Sequence, residues 1–296
     1  MSDYLIRGTA LGGKVRAFAV QTTAITEELS QRHQSTPTAT AALGRTAAAG
    51  LLMGAMLKGE EHLIIQVKGN GPIGQIVVDA NAKGEVRGYV DNPQVDPPLK
   101  ANGKLDVSGA VGTDGFLYIT KDLGLKEPYR GSVPIVSGEL AEDFTFYFAK
   151  SEQTPSAVAL GVLVDRDHSI RAAGGFVIQL LPGLSNEEIA EIEDMLARIP
   201  SFTTMLDSGL NLEGILQTVL PSVQILDRME VKFRCKCNRE RVEQTLLSVG
   251  KDELQEILDD EGFAEVVCHF CNEAYRFNEE DLKRMIAQLQ PGKVEQ

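Results

Sequence analysis

Cys235-Lys-Cys-Asn-Arg-Glu-Arg-Val-Glu-Gln-Thr-Leu-Leu-Ser-Val-Gly-Lys-Asp-Glu-Leu-Gln-Glu-Ile-Leu-Asp-Asp-Glu-Gly-Phe-Ala-Glu-Val-Val-Cys-His-Phe-Cys271 is the stretch that decides how the end of this chain folds. All four cysteines of the chain lie in this window, as Cys235-x-Cys237 and Cys268-x-x-Cys271. Two close pairs flanking a small folded insert is the layout of a tetrathiolate zinc site, in which each turn supplies two sulfur ligands. Isolated core cysteines have no reason to be paired in this way. His269 lies inside the second pair and could replace a thiolate, but four cysteines make it unnecessary, so an exposed or outer-layer His269 is expected. Cys235, Cys237, Cys268 and Cys271 are therefore the expected metal ligands, with one Zn²⁺ per chain.

The Cys-x-Cys half is less common than Cys-x-x-Cys. A disulfide across Cys235 and Cys237 would close a very small, strained ring, and strain makes a disulfide easier to reduce, which suits a switch better than a staple. Arg234, Lys236, Arg239 and Arg241 surround this pair. Nearby cations favour the thiolate, the form that binds metal and reacts with oxidants; solvated surface charges are the plainer reading. In a module this small, metal binding is a large part of the folding free energy, of order ~10 kcal/mol. Thiol oxidation removes ligands, so an oxidant could unfold the module at constant temperature.

Working outward, Arg239 to Val249 and Lys251 to Leu258 read as short helices broken at Gly250. Phe263 to Val267 and Ala274 to Phe277 read as a strand pair, and Asn278 caps a last helix with an apolar stripe through Leu282, Met285, Ile286 and Leu289. This zinc module is expected to span 229–296. Upstream, Ile189, Ile192, Leu196 and Ile199 form an amphipathic stripe, with further short helices around Phe202 to Leu206 and Asn211 to Val219. Between Pro182 and Leu226 the single basic side chain is Arg198, so 182–228 is expected to be an acidic helical linker.

Residues 1–181 read as one α/β (α+β) domain with a mixed sheet and one long helix, roughly Thr38 to Lys58. Gly44, Ala47, Gly50 and Gly54 would let neighbouring backbones approach that helix closely. Strands are expected at Val15 to Thr22, His62 to Val67, Gly74 to Asp79, Glu85 to Val90, Phe116 to Lys121, Val158 to Asp165 and Ile170 to Leu181. Helices are expected through Glu27 to Gln34 and Glu139 to Lys150. The last two strands form a hairpin through Asp165-Arg166-Asp167-His168, and Gly174-Gly175 suggests a bulge or a close backbone approach.

The chain has 296 residues, 43% hydrophobic and 24% charged, with a formal net charge of -13. That acidity repels phosphate backbones and anionic membranes, so neither nucleic acid nor membrane is an expected partner. The N-terminal residues lack a basic segment followed by an apolar one, and a cytoplasmic location is expected, where thiols stay reduced. No catalytic constellation emerges. Gly69-x-Gly71-x-x-Gly74 matches a dinucleotide fingerprint in letters only, since it contains Pro72 and leads into a strand. A thioredoxin-like role for Cys268-His269-Phe270-Cys271 would leave Cys235-x-Cys237 unexplained.

The sequence resembles the heat-shock protein 33 family of redox-regulated chaperones. The resemblance rests on Cys235-x-Cys237 and Cys268-His269-Phe270-Cys271-Asn272 near the end. In the first domain it rests on Thr38-Ala39-Thr40-Ala41-Ala42-Leu43-Gly44-Arg45-Thr46, Gly71-Pro72-Ile73-Gly74 and Val111-Gly112-Thr113-Asp114-Gly115. Ser151-Glu152-Gln153-x-Pro155-Ser156 and Ala172-Ala173-Gly174-Gly175 complete it. The resemblance implies an ATP-independent holdase rather than an enzyme, inactive when reduced and zinc-bound. It implies that oxidation forms Cys235–Cys237 and Cys268–Cys271 disulfides and releases zinc. The module and linker then lose order, unfolded or oxidatively damaged client proteins bind, and the active form is a homodimer. The competing readings are a thiol-disulfide oxidoreductase and a constitutive binding module with structural zinc.

Overall fold

A computed structural model describes residues 2–289. The chain divides into two compact units, the first ending at Arg234 and the second beginning at Cys235.

The first unit opens with strands β1 (Tyr4–Ala10) and β2 (Val15–Gln21), then helices α1 (Thr23–His33) and α2 (Pro37–Gly54). Strands β3 (His62–Lys68), β4 (Gln75–Asn81) and β5 (Glu85–Val90) follow. Next come a short α3 (Val107–Val111), β6 (Phe116–Asp122), β7 (Tyr129–Pro134) and α4 (Ala141–Lys150). The hairpin β8 (Ser156–Val164) and β9 (Ile170–Leu180) leads to α5 (Asn186–Arg198), α6 (Phe202–Asp207) and α7 (Leu212–Val219). The unit ends with β10 (Gln224–Glu230) and β11 (Lys232–Phe233).

These strands form a five-stranded sheet in the order β10-β1-β2-β9-β8 and a six-stranded sheet in the order β11-β5-β4-β3-β6-β7. Every pairing is antiparallel except β11 with β5. Helix α2 is buried along nearly its whole length and packs against strands of both sheets. A helix apolar on every side belongs in an interior. Its glycines explain the fit: a Cβ on Gly44 would meet Val162 Cγ2 at 2.8 Å, and one on Gly50 would meet Val78 Cγ1 at 2.9 Å. Gly44 admits one sheet and Gly50 the other, so the small-residue spacing serves packing within the unit.

The segment 182–228, expected as a helical linker, supplies α5, α6, α7 and most of β10. Ile192, Phe202, Met205, Ile215 and Leu216 are buried there, in one cluster with Tyr4, Ile6, Ala17, Ala19, Phe176 and Ile178 of the five-stranded sheet. Ser185 starts α5 with a reciprocal cap to Glu188, and Asn211 caps α7.

The expected strands and helices are present with ends shifted by a few residues. Strands β1, β7, β10 and β11 and helix α3 were not anticipated. The Gly174-Gly175 pair is a close backbone approach: Gly174 has φ +146, and a Cβ there would lie 2.1 Å from the Val20 carbonyl oxygen. Gly174→Ala is therefore expected to destabilise the first unit by roughly 2–6 kcal/mol through overpacking and backbone strain. A urea midpoint unchanged from the parent would refute this.

The second unit holds α8 (Arg239–Val249), α9 (Lys251–Asp260), the hairpin β12 (Ala264–Val267) and β13 (Ala274–Phe277), and α10 (Glu279–Gln288). Its core is small, with eight buried residues centred on Leu254, Phe277, Leu282 and Met285. Among the described residues, no helix is long and apolar enough to cross a membrane.

Candidate metal centre

The four thiols meet at one end of the second unit. Cys235 and Cys237 precede α8, whose first turn is capped by the Asn238 side chain accepting from the Arg241 N–H. Cys268 and Cys271 sit in the turn between β12 and β13. That turn is closed by the Asn272 N–H donating to the Cys268 carbonyl at 2.7 Å and the Cys268 N–H donating to the Glu273 carbonyl at 2.9 Å. Asn272 adopts φ +56, a left-handed conformation that asparagine tolerates better than most residues.

The sulfur atoms of Cys235, Cys237, Cys268 and Cys271 all lie within 4.8 Å of one another. Cys235 is 3.3 Å from Cys237 and 3.7 Å from Cys268, and Cys237 is 3.2 Å from Cys271. Four thiolates placed tetrahedrally at ~2.3 Å from a zinc ion would be about 3.8 Å apart. The cluster therefore has the dimensions and the donor set of a metal site. His269 is exposed and is not one of the clustered side chains.

The electrostatics differ from the sequence expectation. Burial pushes the Cys237 and Cys271 thiols up. Among the basic neighbours, Arg239 and Arg234 are engaged with carboxylates, and Arg241 stays beside the first cysteine pair. Arg239 donates to the Arg276 carbonyl at 2.7 Å and to Asp281 at 2.6 Å, and its guanidinium stacks on Phe277. Arg241 donates to the Lys236 carbonyl at 3.0 Å. Within the first unit, Arg234 pairs with Glu85 at 2.9 Å. Burial therefore favours the neutral thiols, and an ionised cluster would need a countercharge at its centre, which a bound dication would supply.

Sequence reasoning missed Tyr275. Its hydroxyl donates to Cys237 Sγ at 3.3 Å, and this bond is the main cause that holds the phenol protonated beyond its usual range. A donor to a ligand sulfur is the outer-layer contact that fixes ligand orientation at metal sites. The signal available in the sequence was only a tyrosine four residues after Cys271, alternating with the buried Phe277 along a short strand.

Comparison with known proteins agrees along the whole chain. The family profile described as Hsp33 protein matches residues 3–278. The chain is 54% identical over 291 residues to the 33 kDa chaperonin of Bacillus cytotoxicus, covering 98% of this chain and 100% of that protein. It is 53% identical over 287 residues to the 33 kDa chaperonin of Geobacillus kaustophilus, covering 96% and 98%. The crystal structure of the 33 kDa chaperonin (heat shock protein 33 homolog) of Thermotoga maritima superposes with a TM-score of 0.92 at 38% identity, covering 97% of this chain and 99% of that one. With the profile matched from residue 3 through the four-thiol cluster to residue 278, the chain belongs to the Hsp33 family.

Proposed function

We propose that this protein is an ATP-independent chaperone that is switched on by oxidation of the four-thiol cluster. The observation that carries the reading is the cluster itself: four thiols within 4.8 Å in a unit with eight buried core residues, in a chain of a family whose relatives are named chaperonins. In the reduced form Cys235, Cys237, Cys268 and Cys271 hold one Zn²⁺. Oxidation converts two pairs of thiols to two disulfides, Cys235–Cys237 and Cys268–Cys271. Each pair of thiols gives up two electrons and two protons as its S–S bond forms, and one hydrogen peroxide takes them up and is reduced to two waters. The sulfurs are close enough for any pairing, and the two local ones are those that membership of the Hsp33 family implies.

Loss of the ligands removes the largest stabilising contribution to the second unit. The linker 182–228 then loosens from the first unit and exposes the apolar faces of α5–α7 to unfolding client proteins. The oxidised chain acts as a homodimer, and the protein works in the cytoplasm, where reduction by thiols returns it to the resting form.

The test follows three quantities during treatment with peroxide and mild heat: zinc release to a dye, the free-thiol count, and light scattering from an aggregating client. Release of one zinc per chain and loss of four thiols are expected to coincide with suppressed scattering. Zinc release without suppression would exclude the switch. Suppression that is equal before and after oxidation would favour a constitutive binder, and turnover of a small dithiol an oxidoreductase.

A further inference from the structure

Strand β8 is an edge of the five-stranded sheet and pairs only with β9. Its sequence, Ser156-Ala-Val-Ala-Leu-Gly-Val-Leu-Val164, has no charge, no proline and no bulge before Leu163. Natural edge strands are normally blunted by one of these devices. The register shows which backbone groups are free. The Leu180 N–H donates to the Pro155 carbonyl, which makes 155 and 180 a hydrogen-bonded pair. Alternation along an antiparallel ladder then turns the N–H and C=O of Val158, Leu160 and Val162 away from β9. Among the described residues, no hydrogen bond reaches those groups.

Of these three residues, Leu160 and Val162 line a cavity of about 840 Å³ within the first unit. Five consecutive residues, Leu160 to Val164, line it. Side chains of a strand point alternately to opposite faces, so five in succession can line one cavity only along the edge. The edge they present is about 13 Å long, the length of four or five extended residues. Leu99 and Leu105 also line it, as do Ser201, Thr203 and Thr204 from the start of α6, where Thr203 packs directly against Gly161 of β8. Lys104 and Arg166 also line it, and neither has an ion-pair partner among the described residues; Asp165 is the one acidic side chain in the lining. A basic rim on a chain of net charge -13 is a local inversion of sign.

We propose that the free edge of β8 docks one extended segment of an unfolded client as a sixth strand of this sheet. An acidic side chain of the segment lies against Lys104 and Arg166. This rests on the chaperone reading and gives it a mode of recognition. Main-chain hydrogen bonds to an edge supply affinity independent of side-chain sequence, which is what a protein with many clients requires.

The probe is a capped, fluorescein-labelled heptapeptide of alternating valine and threonine ending in glutamate, titrated against the full-length peroxide-oxidised chain by fluorescence anisotropy. A second peptide of the same sequence carries N-methyl groups on two adjacent central amides, which blocks both of its edges and keeps its side chains. The methylated peptide is expected to bind at least tenfold more weakly. Leu160→Pro, which removes an outward N–H and leaves the β8–β9 ladder intact, is expected to weaken the unmethylated peptide by a similar factor. If that variant does not fold, the methylated peptide on the parent chain decides alone. Lys104→Glu with Arg166→Glu should cost the glutamate peptide at least fivefold and favour a lysine-ended one. Equal binding of the two peptides overturns the proposal. So does a chain that sediments as a dimer and becomes monomeric in Leu160→Pro, which would assign the edge to a second copy. A parallel client-aggregation assay separates the two ideas: suppression without peptide binding sinks the edge, and peptide binding without suppression in either redox state sinks the chaperone reading.

Discussion

Stripping the metal from the reduced chain is expected to unfold the second unit and leave the first unit folded. The second unit has eight buried core residues, and its largest are Phe277, Leu282, Met285 and Leu254. A core in a domain of this size supplies at most ~3–5 kcal/mol. Its ion pairs, such as Arg239 with Asp281 and Arg284 with Glu243, are half exposed and contribute about 0–1 kcal/mol each. A structural zinc contributes roughly 10–16 kcal/mol at neutral pH, so its removal exceeds everything else that holds the unit. Without it, the half-buried Cys237 and the buried Cys271 revert to neutral thiols, which bind no countercharge and close no turn. Amide exchange after chelation under reducing conditions should show protection lost in β12, β13 and α8–α10 and retained in β3, β4 and α2. Protected amides in β12 and β13 with four free thiols and no metal would sink the idea.

Asp143→Ala is expected to destabilise the first unit by roughly 3–5 kcal/mol, because it removes a buried charged acceptor shared by three backbone donors. Asp143 is 1% exposed. Its carboxylate accepts from the backbone N–H of Val136 at 2.7 Å, Ser137 at 2.9 Å and Leu140 at 2.9 Å. Those bonds hold the connection from β7 into α4, including Leu140 at φ +72, a conformation that costs a non-glycine residue about 1–3 kcal/mol. Alanine removes the acceptor from three N–H groups, of which the Leu140 one is buried away from water. Asp143→Asn keeps one acceptor oxygen and should recover about half of the loss. Urea unfolding followed by circular dichroism measures both variants, and a change under ~1 kcal/mol for alanine would contradict the account.

Much of the site was legible because its chemistry is local. Four cysteines in 37 residues announce a shared centre whatever surrounds them, and the Asn238 and Asn278 caps mark the helices that frame it. Helix α2 was legible from its long run of small and apolar residues, interrupted only by Arg45. What the sequence hid is non-local. Strand β10 is exposed at nearly every position, so it has no apolar alternation to detect, and it exists because Tyr4 to Thr9 offer an edge more than 200 residues away. Strand β1 is buried on both faces and lacks alternation for the opposite reason. The direction of the thiol electrostatics was also hidden. The basic residues are near the cysteines in sequence, but Arg239 turns to Asp281, and although Arg241 stays on the Lys236 carbonyl between the two cysteines, burial still pushes the Cys237 thiol up.

The pairing of β1 with β10 has a consequence during synthesis. Tyr4 lies opposite Glu230, so the five-stranded sheet cannot be completed until the ribosome has delivered that residue. At about 5–20 residues per second, the nascent β1 waits roughly 10–45 s with one edge bare. Contacts this distant along the chain make a slow folder with a long vulnerable interval. A protein whose trade is other chains' exposed segments thus passes through the same hazard each time it is made, and its own newborn N-terminus is among the first substrates a finished copy could meet.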